Sequence, residues 1–240
     1  RPVAVSIIAL MLAVTGKMLI KDKLTRQGPD GFAQKINHMG VGLVGKTLGS
    51  IGIGNIGSEM FRHAMPFDMN FIAHDPFADA DAAKELGVRL VDMDTLCRES
   101  DVLTVNCPLN DDTYQIINAK RIAAMKPTAF LINTSRGPTV DQKALTKALQ
   151  EDAIAGAGLD VFDPEPPEAD DPLFALENVI LSPHGLCWTE ECFAGIGAAD
   201  IAAVFATMKG EEPSGIVDRR ITDNSDWQDK MTAYKSRFGG

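Results

Sequence analysis

Cysteine is scarce in this 240-residue chain: there are four, Cys97, Cys107, Cys187 and Cys192, and no two form a C-x-x-C pair. That spacing argues against a zinc centre and against a disulfide framework, so no metal site is expected and a reducing, cytoplasmic setting fits best. Positive charge is in short supply too. The 23 Lys and Arg stand against 33 Asp and Glu, for a formal net charge of -10. A phosphate-backbone binder needs clustered cations, so nucleic acid is not the expected partner. A clean membrane span is also missing from the N-terminus. The apolar run from Val3 to Ile20 is interrupted by Ser6, Thr15, Gly16 and Lys17, and it reads as one buried helix rather than a bilayer segment. Only Arg1 precedes it, which is too little for the basic start of a signal peptide. Entering this helix at once from Arg1, the chain reads as the later part of something longer. No internal repeat or low-complexity tract interrupts it.

What the chain has in quantity is apolar residues, 45% of the total, and 21 glycines. Short apolar runs rich in β-formers alternate with helical patterns: TLGSIGI, NFIAH, DVLTVN, AFLINT, AGAGLDVF and NVILS, separated by stretches such as DADAAKELG and VDQKALTKALQ. Such alternation predicts βαβ units and a parallel sheet. Runs that are apolar throughout predict strands covered on both faces. The acidic, proline-rich stretch Asp163–Pro172 predicts a loop leaving a strand. From Thr189 to Met208 the pattern predicts a helix with Thr189 as its N-cap, and the tail after Arg220 reads as polar and peripheral.

The stretch GSIGIGNIGSEM, residues 49–60, contains G-x-G-x-x-G. Alone that spacing is weak, but here it follows an apolar run and opens a helix that stops near Pro66, as a dinucleotide-binding turn requires. Gly52 suits the tight turn, Gly54 the approach of a pyrophosphate, and Gly57 close packing of helix on strand. Asp75 ends the next strand, about 20 residues on, where a carboxylate accepts from ribose hydroxyls and repels a 2′-phosphate; NAD is expected over NADP.

In a doubly wound sheet, ligands sit beyond the carboxyl ends of the strands. After AFLINT comes Arg136, after AGAGLDVF comes Glu165, and after NVILS comes His184. An arginine grips a carboxylate in a bidentate fork. An imidazole exchanges protons near neutrality, and a carboxylate bonded to the ring stabilises its charged form. Each has a plainer alternative: Arg136 as the partner of Asp141, Glu165 as a solvated loop residue, His184 as a turn histidine. His38, His63 and His74 have no companion carboxylate in a suggestive place and read as packing or surface.

Taken in order, GKTLGSIGIGNIG, HDPF, NCPLNDDTYQIIN, INTSRGPTVD, GAGLDVFDPEPP and NVILSPH resemble the D-isomer-specific 2-hydroxyacid dehydrogenases, a family that includes glycerate dehydrogenase (hydroxypyruvate reductase), phosphoglycerate dehydrogenase and D-lactate dehydrogenase. The resemblance runs from Arg1 to about Ile221. It implies an α/β fold: a Rossmann-type doubly wound parallel sheet forming an NAD-binding domain over residues 1–184 with its leading interdomain helix, and residues 185–240 returning to a substrate domain whose N-terminal part is missing. It implies an NAD-dependent enzyme interconverting a small 2-keto acid and the D-2-hydroxy acid, with Arg136 anchoring substrate, His184 moving the proton and Glu165 as its partner. Asn55 and Ile56 are implied to meet the pyrophosphate through backbone groups, Asp75 the adenosine ribose, and Cys107 and Pro108 the adenosine side. Thr134 and Asp160 are implied near the nicotinamide, and the cofactor-binding set also takes in Ser135, Arg136 and His184. A homodimer built around the first helix and the GLVGKT region is implied as well. The chain departs from the family where Gly185-Leu186-Cys187-Trp188 replaces a run of small residues, and there Trp188 is expected to narrow the pocket. Two other readings remain at this stage: an NAD-sensing binding protein like the C-terminal binding protein corepressors, and phosphoglycerate dehydrogenase. Formate dehydrogenase is disfavoured by Glu165, where that enzyme uses glutamine.

Overall fold

The structure, a computed structural model, describes residues 1–238. Seven strands are flanked by helices: α1 (Pro2–Thr15), α2 (Met18–Arg26), α3 (Pro29–Ala33), β1 (Thr47–Ile51), α4 (Asn55–Ala64), β2 (Asn70–His74), α5 (Ala80–Glu85), β3 (Val88–Leu90), α6 (Met93–Glu99), β4 (Val102–Val105), α7 (Ala119–Ala123), β5 (Phe130–Asn133), α8 (Gln142–Gln150), β6 (Gly156–Leu159), β7 (Val179–Leu181), α9 (Glu190–Met208) and α10 (Ser225–Phe238). The sheet order is β3-β2-β1-β4-β5-β6-β7, and every pairing is parallel. The chain therefore winds outward from β1 in one direction and from β4 in the other. Between these two strands lies the switch point where such sheets bind ligands.

Six of the strands are those expected from the apolar runs. The seventh, β3, is only three residues long and two of them are exposed, too short a stretch to declare itself by pattern. Strands β4, β5 and β6 are buried at every position, as a sheet covered on both faces demands. One core includes Leu96, Leu103, Leu131 and Leu145; the other joins Ile7, Leu10 and Met11 of α1 to Leu48, Phe61 and Ile132.

The N-terminal apolar run differs from the single buried helix expected of it. It breaks at Gly16 and Lys17, where Lys17 takes φ 52°. The first half buries Ile7, Leu10, Met11 and Val14, whereas no residue of α2 is buried. The sequence shows the interruption at Thr15-Gly16-Lys17, but apolar residues resume at Met18, so the pattern did not show that the second half leaves the core.

Arg1–Cys187 form one compact unit, and the chain from Trp188 onward forms a second. In the second unit Thr189 caps α9 by accepting from the Cys192 N–H at 3.1 Å, as expected. By length and composition α9 is able to cross a membrane, and none of it is buried. The tail holds a further helix, α10, that its polar composition did not announce.

Candidate active site

Sheet register explains how distant segments meet. Ile51 pairs with His74 on one side and Val105 on the other, Val105 with Asn133, Asn133 with Leu159, and Leu159 with Leu181. One step beyond that row stand Asp75, Gly52, Asn106, Thr134, Asp160 and Ser182, brought to one edge by parallel pairing alone. The longer reach of Arg136, Glu165 and His184 begins from the same edge.

The glycine loop is shaped by what its glycines omit. Gly52 takes φ 90°, and a side chain there would lie 2.9 Å from the Asn106 carbonyl. At Gly57 an added Cβ would sit 2.5 Å from the Gly52 carbonyl, whereas at Gly54 it would meet open space. Asn55 and Ile56 open α4, where backbone N–H groups lack helical acceptors and favour an anion. Asp75 accepts from the Ile53 N–H at 3.0 Å and from the Phe77 N–H at 2.9 Å. Its carboxylate thereby ties the strand end to the glycine loop.

A cleft of about 750 Å³ gathers Gly54, Asn55 and Ile56 with Cys107, Pro108, Thr134, Ser135, Arg136, Asp160 and His184. Asp75 and Gly52 line a second hollow of about 520 Å³, which shares Gly54, Cys107 and Pro108 with the first. Together they outline a bipartite trough over the switch point. On its floor the Asn106 Oδ1 and Thr134 Oγ1 atoms are buried without a hydrogen-bond partner. A dinucleotide fits this set: a bare glycine faces open space, helix N–H groups stand ready, and polar atoms await a partner. Burial pushes the Cys107 thiol up to about 11, leaving it protonated and inert near neutrality. The residue serves instead through its carbonyl, which accepts from the Ser135 hydroxyl.

His184 donates through Nδ1 to the Glu165 carboxylate, and the two side chains are 40% and 38% exposed. Glu165 stands behind the imidazole, so the Nε2 face is the one free to meet substrate. His184 itself has φ 53°, an uncommon left-handed conformation for a non-glycine residue that requires support from its surroundings. Asp160 supplies it, accepting from the Gly185 N–H at 3.1 Å and the Leu186 N–H at 3.4 Å. Arg136 does not pair with Asp141, which caps α8 through the Ala144 N–H. Its guanidinium donates to the Ser135 carbonyl at 2.7 Å and otherwise stands exposed. Trp188 belongs to the second unit, where it lies edge-on to Phe193 with ring centroids 5.7 Å apart.

Three further residues support this edge without having been singled out in the sequence. Asn133 is 1% exposed; its Oδ1 accepts from the Ser135 N–H, and its amide donates to the Arg136 carbonyl at 3.0 Å. A polar residue ending an otherwise apolar run was the available signal, since a buried amide must be partnered. Asn106 donates to Ser50 and Thr104 at 2.9 and 3.0 Å, while Gln142 contacts the acidic loop. Asn106 likewise ends an apolar run, DVLTVN, whereas nothing in the local sequence distinguishes Gln142. At Gly137 an added Cβ would fall 1.7 Å from the Phe162 carbonyl, so the turn bearing Arg136 and the strand end leading to Glu165 touch backbone to backbone.

The family model for the NAD binding domain of D-isomer specific 2-hydroxyacid dehydrogenases matches residues 8–185. A glyoxylate reductase of Korarchaeum cryptofilum is 40% identical over 214 residues, 89% of this chain and 64% of that protein. A D-3-phosphoglycerate dehydrogenase of Archaeoglobus fulgidus is 35% identical over 93% of this chain and 42% of its own length. Among solved structures, a glyoxylate reductase from Paecilomyes thermophila superposes with a TM-score of 0.79 at 31% identity, covering 86% of this chain and 62% of that one. The chain thus spans less than two thirds of the length of these relatives.

Proposed function

Given that this chain belongs to the D-isomer specific 2-hydroxyacid dehydrogenases and carries their NAD-binding domain, we propose that the protein is an NAD-dependent oxidoreductase that interconverts a small 2-keto acid, such as glyoxylate or hydroxypyruvate, and its D-2-hydroxy acid. The observation that carries this reading is the His184–Glu165 pair beside Arg136 in a cleft continuous with the glycine loop. Bound NADH supplies the hydride. The protein's own residues do the rest. Arg136, exposed in the cleft, grips the substrate carboxylate and steadies the carbonyl. His184 holds its proton on Nε2 for the carbonyl oxygen, with Glu165 fixing the ring through Nδ1; acid catalysis of this kind is worth ~10²–10⁴-fold. Asp75, already oriented by two backbone N–H groups, faces the ribose and disfavours a 2′-phosphate, which makes NADH the preferred reductant.

On the same reading, residues 185–240 belong to the substrate domain, the whole protein is cytoplasmic, and it forms a homodimer around α1 and the segment leading to β1. Support for the last point is the exposure of Val44, 77%, in that segment. The test is NADH oxidation over a panel of glyoxylate, hydroxypyruvate, pyruvate, phosphohydroxypyruvate and bulkier 2-keto acids, with NADPH in parallel. His184→Ala is expected to lower turnover ~10²–10⁴-fold and to lower NADH affinity far less. Tight NADH binding with no turnover on any keto acid would move the assignment to a cofactor-sensing binding protein.

A further inference from the structure

The loop that presents Glu165 to His184 runs from Asp163 to Asp171, and three of its residues, Pro164, Pro166 and Pro167, have no N–H to donate. Backbone bonding is sparse there, with the Asp171 N–H donating to the Glu168 carbonyl at 3.1 Å and the Phe162 N–H to Glu165 Oε2 at 3.3 Å, so side chains carry much of the hold. Gln142, the first residue of α8, reaches it twice. Its Oε1 accepts from the Asp163 N–H at 2.8 Å, and its Nε2 donates to the Asp171 carboxylate at 3.0 Å. These two contacts grip the two ends of the loop with one side chain. The amide offers an acceptor and a donor side by side at the end of one long side chain; a glutamate in its place would set a carboxylate against Asp171.

We propose that Gln142 is a positioning residue: by clamping both ends of the proline-rich loop it sets the Glu165 carboxylate against Nδ1 of His184 and so selects the ring tautomer with Nε2 turned to the cleft. The consequence for turnover rests on the function proposed above, whereas the consequence for the tautomer does not. The charged groups near the ring are Glu165 behind it, Asp160 holding the turn that follows it, and Arg136 in the same cleft. Gln142 touches none of these three through the contacts described.

The experiment is long-range ¹H–¹⁵N correlation of the four histidine rings in this chain under alkaline conditions where the rings are neutral, with His184 assigned by its absence in His184→Ala. Wild-type protein is expected to show the Nδ1–H tautomer at His184, and Glu165→Ala to shift it toward the Nε2–H form. Gln142→Ala is expected to shift it in the same direction, and adding Gln142→Ala to Glu165→Ala to cause no further shift. An unchanged tautomer in Gln142→Ala overturns the proposal, as does an Nε2–H ring in wild-type protein or an additive effect in the double variant. Should Gln142→Ala fail to fold, the pair Gln142→Glu with Asp171→Asn keeps one acceptor and one donor facing each other with their roles exchanged. It is expected to restore the wild-type tautomer where Gln142→Glu alone does not; failure to restore it counts against the clamp. If the panel above shows turnover, kcat in Gln142→Ala is expected to fall about tenfold, less than for loss of the general acid itself, with KM little moved. A shifted tautomer without any turnover leaves the clamp standing and removes the dehydrogenase reading.

Discussion

The two halves of the cleft are built by opposite means. Around the glycine loop the structure works by omission: Gly52 turns where a side chain is strained, Gly54 leaves space, and Gly57 lets α4 approach the strand. Around His184 it works by partnership: Glu165 holds the ring, Asp160 the turn after it, Asn133 the Arg136 turn, and Gln142 the acidic loop. The first half is vulnerable to added atoms and the second to lost ones, because a cofactor of fixed shape needs room whereas a reacting group needs orientation.

Gly137→Ala cuts across this contrast, since it adds an atom in the half governed by partnership. Its Cβ would overlap the Phe162 carbonyl at 1.7 Å, and no flexible side chain is there to yield. The expected loss is about 3 kcal/mol or more, read as the urea midpoint, together with loss of turnover. Asp160→Ala removes a partner and leaves the Gly185 and Leu186 N–H groups without their acceptor. It is expected to cost ~1–3 kcal/mol and to lower kcat further than NADH affinity, which calorimetry and steady-state kinetics separate. Gly54→Ala isolates omission from folding: its methyl meets open space in the free protein, so stability stays within about 0.5 kcal/mol. NADH affinity is nonetheless expected to fall at least tenfold, about 1.4 kcal/mol. A normal affinity there would show that the cofactor does not approach this glycine.

The smallest effect concerns two buried thiols, Cys97 in α6 and Cys107 at the cleft. Burial pushes both Cys97 and Cys107 up to about 11 from 9.0. The folded chain then holds these protons more tightly than the unfolded one, so the stabilisation is complete below the unfolded value near 9 and is lost as pH rises towards 11. Urea midpoints followed from neutrality into that range are expected to decline, and to decline less in Cys97→Ser and Cys107→Ser than in wild-type protein. A flat profile would show that the two thiols ionise as readily folded as unfolded.

Much of the arrangement was legible beforehand because it is written in short segments. Six apolar runs became strands, the glycine spacing became a turn with a helix behind it, and the residues following three runs, Arg136, Glu165 and His184, emerged from one edge. Strand β3 was too short to read, and the interruption at Gly16 and Lys17 was visible but, with apolar residues resuming at Met18, did not announce a second, exposed helix. The polar supports Asn106 and Gln142 escaped for another reason: each reaches a segment that meets it only through sheet pairing or across a loop, whereas Asn133 braces the turn just after its own strand.

By itself, then, the sequence determined element type and the glycine turn, and it named the side chains proposed to react, since these depend on local periodicity and on side-chain chemistry. Tertiary structure alone decided which N–H groups Asp160 holds, which loop ends Gln142 joins, and which glycine is pressed against another backbone. Those outcomes depend on parallel register and close packing, which bring residues far apart in the chain within hydrogen-bond range and have no signature in any short stretch of it.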